Sequence, residues 1–179
     1  MHFLFTSGRQ AGRLLRRTPT TVAVACNQFG LSAASFSTSR AVAAKNQIYQ
    51  SVRNLDQFHT YQLLSSSSRT PLLTLWTTSY CPTCRVVEPM VRELVETGVG
   101  EQEGGVGFCT VEYDAPDVME AGLGLTYMIN SIPTLLSFDA QEAQTQTKVT
   151  DGRQLANRKF LEEWYANSLV VAKLLLSGG

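Results

Sequence analysis

No apolar run in this sequence approaches the ~18–20 residues that a membrane-crossing helix needs, so no spanning helix is expected. Cysteine is scarce: four in 179 residues, too few and too unevenly spaced for a disulfide-stapled secreted scaffold. Histidine is scarcer. A structural zinc site wants a closed set of four ligands. Beyond residue 45 only Cys81, Cys84, Cys109 and His59 are offered, far apart in sequence, so no metal is expected. Acid is absent from the first 55 residues, which hold seven Arg or Lys, whereas the rest holds eight basic and fifteen acidic residues, a net of −7. An acidic body gives no reason to expect nucleic acid as a partner. There is no internal repeat.

The chain has enough apolar content, 44%, to build one domain with a proper core. The charge asymmetry divides it in two. Residues 1–45 are rich in Arg, Ser, Thr and Ala and free of acid, the composition of a mitochondrial transit peptide. Arg9, Arg13, Arg16 and Arg17 fall on one helical face, with Leu4, Ala11, Leu14 and Leu15 opposite. Such a basic amphipathic helix suits an anionic membrane surface and an import receptor. Phe36-Ser37-Thr38-Ser39-Arg40-Ala41 resembles the end of a fungal presequence, with cleavage expected shortly after Arg40 and Cys26 lost with the leader. The apolar run Thr21–Ala25 is too short for a secretory signal, and Ala23-Val24-Ala25-Cys26 is a poor lipoprotein site. The expected address is the mitochondrial matrix.

The organisation expected beyond the leader is a domain over 46–168 and an apolar extension of the last helix over 169–179. Asn46–Val52 reads as a first strand by its alternation. Asn54 with Gln57 resembles a capping box opening a helix to about Leu64, followed by a polar loop at Ser65–Ser68. Leu72–Thr77 reads as a buried strand, and Pro82–Thr97 as a helix with Val86, Val87, Met90, Val91, Leu94 and Val95 at helical spacing. Gly98–Gly107 is a loop, Phe108–Tyr113 a strand, and Pro116–Gly122 a short helix for which Asp114 and Pro116 supply cap and start. Pro133–Phe138 is a strand beginning at proline, Lys148–Thr150 a last strand, and Arg153–Leu176 a C-terminal helix. The order β-α-β-α-β-α-β-β-α describes one mixed sheet covered by helices, an α/β sandwich.

Chemistry concentrates at Cys81-Pro82-Thr83-Cys84, between a strand and a helix. Two thiols at this spacing are placed to cycle between dithiol and disulfide. A helix start favours the thiolate, the reactive form, through its unpaired N–H groups and positive dipole end. A second piece, Ser131-Ile132-Pro133-Thr134, puts Pro133 49 residues beyond Cys84.

With Trp76, Tyr80, Arg85, Pro89, Asp114 and Gly152, these residues make the chain resemble the thioredoxin family over roughly residues 46–168. The resemblance implies an α/β thioredoxin-like fold with a central mixed sheet of four to five strands flanked by helices. It implies a thiol–disulfide oxidoreductase in which Cys81 attacks a substrate disulfide and Cys84 resolves the mixed disulfide. Tyr80, Pro82, Thr83, Ile132 and a cis-Pro133 would form the substrate groove. Disulfide-containing proteins would be the partners, with electrons from a reductase or another thiol donor and no bound cofactor. Membrane contact is expected only through the leader or the C-terminal tail, whose Ser168–Leu176 is apolar nearly all round.

Two departures qualify the activity. Pro82-Thr83 is the proline-first order seen in glutaredoxins, pointing from roughly −270 mV toward about −200 to −230 mV. No glutathione-binding Thr-Val-Pro or Gly-Gly pair accompanies it. Leu75 stands six residues before Cys81, where thioredoxins carry a buried Asp, and Glu88, one turn past Cys84, reads as a solvated helix residue. The rival reading is an adaptor in which the Pro133 groove and the tail hold a partner and the cysteines are redox-idle. Cys109 reads as a buried inert thiol and His59 as an exposed helix residue.

Overall fold

The computed structural model describes residues 45–177, with side-chain surroundings through Ser168. The leader readings (the Arg9–Arg17 face, cleavage after Arg40, Cys26) lie outside these residues, as do the side chains of the apolar tail. Five strands form one sheet: β1 (Gln47–Ile48), β2 (Leu72–Thr77), β3 (Gly107–Glu112), β4 (Thr134–Asp139) and β5 (Glu142–Ala143), in the order β1-β3-β2-β4-β5. β1 and β2 run parallel to β3, whereas β4 runs antiparallel to β2 and to β5.

The central strand β2 is buried along its whole length, which explains its continuous Leu-Leu-Thr-Leu-Trp reading. Its alternation divides two cores. Leu73 and Leu75 join one cluster, and Leu72 and Trp76 the other. The first is closed by α2 (Cys84–Glu96), through Val87, Val91, Leu94 and Val95, and by α6 (Arg158–Ser177), through Leu161, Trp164 and Tyr165. The second is closed by Phe58 of α1 (Leu55–Ser68), Val118 of α3 (Pro116–Glu120) and Leu123 of α4 (Leu123–Thr126). Each fully buried Leu, Val or Phe contributes roughly 1.5–3 kcal/mol, so both helical layers are held by apolar burial. Among the described residues no helix is long and apolar enough to cross a membrane.

Several boundaries differ from the sequence reading. Ser65–Ser68 is the last turn of α1 rather than a loop. The Ser67 and Ser68 hydroxyls donate back to the Leu64 carbonyl, and the helix ends at Arg69 in the left-handed region (φ 55°). The capping expectation holds at the other end, where Asn54 accepts from the Gln57 N–H at 2.9 Å. β1 is shorter than Asn46–Val52 because pairing with β3 lapses and resumes as one bridge at Val52.

Lys148–Thr150 is no strand. Only Val149 pairs, with Leu135, before Asp151 caps α5 (Gly152–Leu155). The fifth strand is instead Glu142–Ala143, reached through Ala140 and Gln141 at φ 46° and 73°. A tight hairpin of this kind is ordinarily signalled by Asn or Gly, and neither is present. The C-terminal helix is interrupted at Ala156–Asn157, where the Asn157 side chain accepts from the N–H groups of Lys159 and Phe160.

Candidate active site

Cys81 and Cys84 are joined as a disulfide, their Cα atoms 5.3 Å apart, within the usual range for such bonds. The pair sits where β2 gives way to α2. Helix α2 begins at Cys84 rather than Pro82, with Thr83 as its N-cap and Cys81 just before it. The Cys84 N–H points at the Cys81 sulfur, 3.1 Å away. Thr83 makes no side-chain cap bond, and no acid occupies the first turn. The positive end of the helix is therefore uncompensated except by the Cys81 sulfur, which favours its thiolate when the bond opens.

Exposure separates the two sulfurs. Tyr80 is 75% exposed, Pro82 and Thr83 are exposed and Cys81 is half-buried, whereas Cys84 is 3% exposed. Cys81 is the more accessible residue of the pair, and Cys84 lies behind it. Pro89 lies on the exposed side of α2, where it supplies no N–H to the preceding turn.

The Ile132–Pro133 peptide is cis, with Pro133 buried and Ile132 half-buried. Thr134 Oγ1 donates to the Ser131 carbonyl at 2.6 Å, and Lys148 Nζ to the Met128 carbonyl at 2.9 Å, bracing this loop at both ends. Gly152 connects it to the cysteine loop. A β-carbon there would stand 3.1 Å from Thr83 Cγ2 and 3.7 Å from Pro133 Cδ, so Thr83 and Pro133 flank the Gly152 backbone. A β-carbon at 152 would crowd Thr83 alone, since its distances to Pro133 are ordinary contact.

Asp114 does not cap the helix at Pro116. The N-cap there is Ala115, and Asp114 accepts from the Ser79 N–H at 2.9 Å and the Ser79 hydroxyl at 2.5 Å. These bonds hold its carboxyl below the usual range and fix the turn leading to Tyr80 and Cys81. The partners are 35 residues apart and meet only because β2 and β3 are neighbours, so no local signal announces them.

Behind Cys84 lies a polar cleft of about 320 Å³. Its lining includes Thr77, Thr78, Arg85, Glu88, Thr110 and Glu112. Glu88 is not simply solvated: its side chain is 35% exposed and accepts from the Thr110 hydroxyl at 3.3 Å and from Arg92 at 3.5 Å. Leu75 is fully buried and pairs across the sheet with Thr110 and Leu135. His59 is exposed. Cys109 is a free, fully buried thiol that burial pushes far up, as an inert core residue should be. Among the described residues no group of three or more His, Cys, Asp or Glu could hold a metal ion.

No protein-family profile matches the sequence, and no curated protein matches it. Solved structures do. A thioredoxin of Malassezia sympodialis superposes with a TM-score of 0.53 at 16% identity, over 73% of this chain and 98% of that one. A poplar thioredoxin h gives 0.55 at 14% identity, over 69% and 97%. A thioredoxin of Nicotiana alata gives 0.51 at 12%, over 69% and 94%. The fold is thioredoxin-like: a five-stranded mixed sheet flanked by helices.

Proposed function

We propose that this protein is a dithiol–disulfide oxidoreductase that reduces protein disulfides through Cys81 and Cys84. One observation carries the reading: the half-buried Cys81 and the buried Cys84 share a disulfide at an uncompensated helix start. In the reduced state the Cys81 thiolate attacks a substrate disulfide, forming a mixed disulfide and expelling one substrate thiolate. Cys84 then loses its proton and attacks the Cys81 sulfur, releasing the second substrate thiol and leaving Cys81–Cys84 oxidised. Two electrons have passed to the substrate. A reductase or another thiol donor restores the dithiol, and no bound cofactor is needed. Tyr80, Pro82, Thr83 and Ile132 form the surface that meets the substrate chain, with the buried Pro133 as the floor of the groove. The acid-free leader supports action in the mitochondrial matrix after its removal. Fusing residues 1–45 to a reporter should direct it to mitochondria and yield a product shortened near Arg40; a cytosolic, uncleaved reporter refutes the address.

Redox titration of the full chain tests the chemistry, with the Cys81–Cys84 bond read by thiol labelling. A reversible two-electron couple is expected between roughly −270 and −200 mV. The buried Leu75 favours the adaptor reading, since no acid lies at that point of β2. If no disulfide forms up to about −120 mV, and Cys84→Ser traps no mixed disulfide on Cys81, the couple is idle and the adaptor reading replaces this one.

A further inference from the structure

Resolution requires Cys84 to lose a proton, yet Cys84 is 3% exposed and its opening is the polar cleft behind it. Two observations in that cleft point to a proton path. Cys84 lines it together with Thr77, Thr78 and Thr110, and at about 320 Å³ this polar cleft has room for water beside the thiol. The second observation is Glu88, at i+4 from Cys84 and so on the same face of α2. Both of its contacts fall on Oε1, from Thr110 on β3 and Arg92 on α2; Oε2 has no protein partner among the described residues.

The other charged groups facing the cleft are Arg85 on α2, Glu112 on β3 and Arg53 before α1. Glu112 holds Arg53 at 2.9 Å, a closer pairing than Glu88 makes with Arg92. Strand β2 offers only hydroxyls here, because Leu75 belongs to the apolar core.

Building on the proposed redox couple, we infer that Glu88 accepts the Cys84 proton in the resolving step, through water in this cleft, and that Thr110 positions its carboxylate. The Cys84 thiol gives its proton to Glu88. Its thiolate bonds to the Cys81 sulfur, and the bond between Cys81 and the substrate sulfur breaks. The substrate sulfur departs as a thiolate, and Glu88 returns to the carboxylate by giving its proton to that thiolate or, where the thiolate stays ionised, to solvent.

A chromogenic aromatic disulfide separates the steps, since each releases one coloured thiolate. The reduced full chain carries Cys26→Ser in every version, so that Cys81 and Cys84 report alone beside the buried Cys109. Glu88→Gln should leave the first phase unchanged and slow the second by about 10²-fold or more, the usual contribution of a positioned base. The second phase of the unsubstituted protein should be flat across neutral pH. In Glu88→Gln it should climb about tenfold per pH unit until Cys84 itself ionises. Glu88→Asp should recover part of the rate, and Thr110→Val should slow the second phase less than Glu88→Gln. An unchanged second phase in Glu88→Gln overturns the assignment. So does equal slowing of both phases, or the same loss from Glu112→Gln. If the unsubstituted protein releases only one thiolate, the redox couple itself fails and this inference falls with it.

Discussion

Replacing Gly152 by alanine tests whether the contact of the cysteine loop with the proline loop is tight. The new β-carbon would stand 3.1 Å from Thr83 Cγ2, inside the ~3.5–4.0 Å optimum for two carbons. Its distances to Pro133, 3.7 and 3.9 Å, are ordinary contact. Thr83 cannot retreat as a unit, because its carbonyl accepts the Val86 and Val87 N–H groups at 3.1 and 3.0 Å. The overlap should therefore cost about 1–2 kcal/mol, near the low end of overpacking. Against it, alanine in the first turn of α5 loses less entropy on folding than glycine and contributes about 0.4–1 kcal/mol.

The two effects nearly offset, so the informative measurement is a double-mutant cycle. Thr83→Ala removes Cγ2 and no cap bond. Gly152→Ala should be neutral to destabilising by about 1 kcal/mol alone, yet stabilise the Thr83→Ala protein by about 0.4–1 kcal/mol. Urea unfolding of the oxidised protein at pH 7 reads both. Additivity within about 0.3–0.5 kcal/mol would refute the contact. The same variants report on the redox couple: a strain felt in one redox state only should move the midpoint by about 30 mV for each 1.4 kcal/mol.

Two further predictions concern the strands that carry the site. Thr74→Val keeps shape but removes a fully buried hydroxyl that accepts from Trp76 Nε1 at 3.0 Å and donates to the Leu136 carbonyl at 2.9 Å. The stranded indole N–H should cost about 1–3 kcal/mol in urea unfolding, with Thr74→Ser much milder; equal effects would refute the hydrogen-bond account. Ser79→Ala removes one donor to Asp114 and should raise its depressed pKa, read by NMR titration. A depressed carboxyl stabilises the fold above its unfolded value of about 3.9, and this contribution is lost as pH falls through the folded value. The stability deficit of Ser79→Ala should thus be present at neutral pH and vanish in strong acid; a pH-independent deficit would show the Asp114 bond to be irrelevant.

What could be read from the sequence was local or periodic. The buried strand at Leu72–Thr77, the apolar face of the helix beyond Cys84, the Asn54 cap and the Cys81–Cys84 spacing each depend on residues a few positions apart. The hairpin at Ala140–Gln141 escaped because its left-handed turn lacks the residues that usually mark one. The serines after Leu64 escaped because polar composition reads as loop, while their hydroxyls bond back into the helix. Tertiary structure alone decided the surroundings of the cysteines. Asp114 reaches Ser79, Glu88 reaches Thr110, and Gly152 lies between Thr83 and Pro133. Each of these depends on strand order and register, which bring distant segments within a few ångströms. Spacing along the chain specifies which thiols can pair; only the packed sheet specifies which side chains face them.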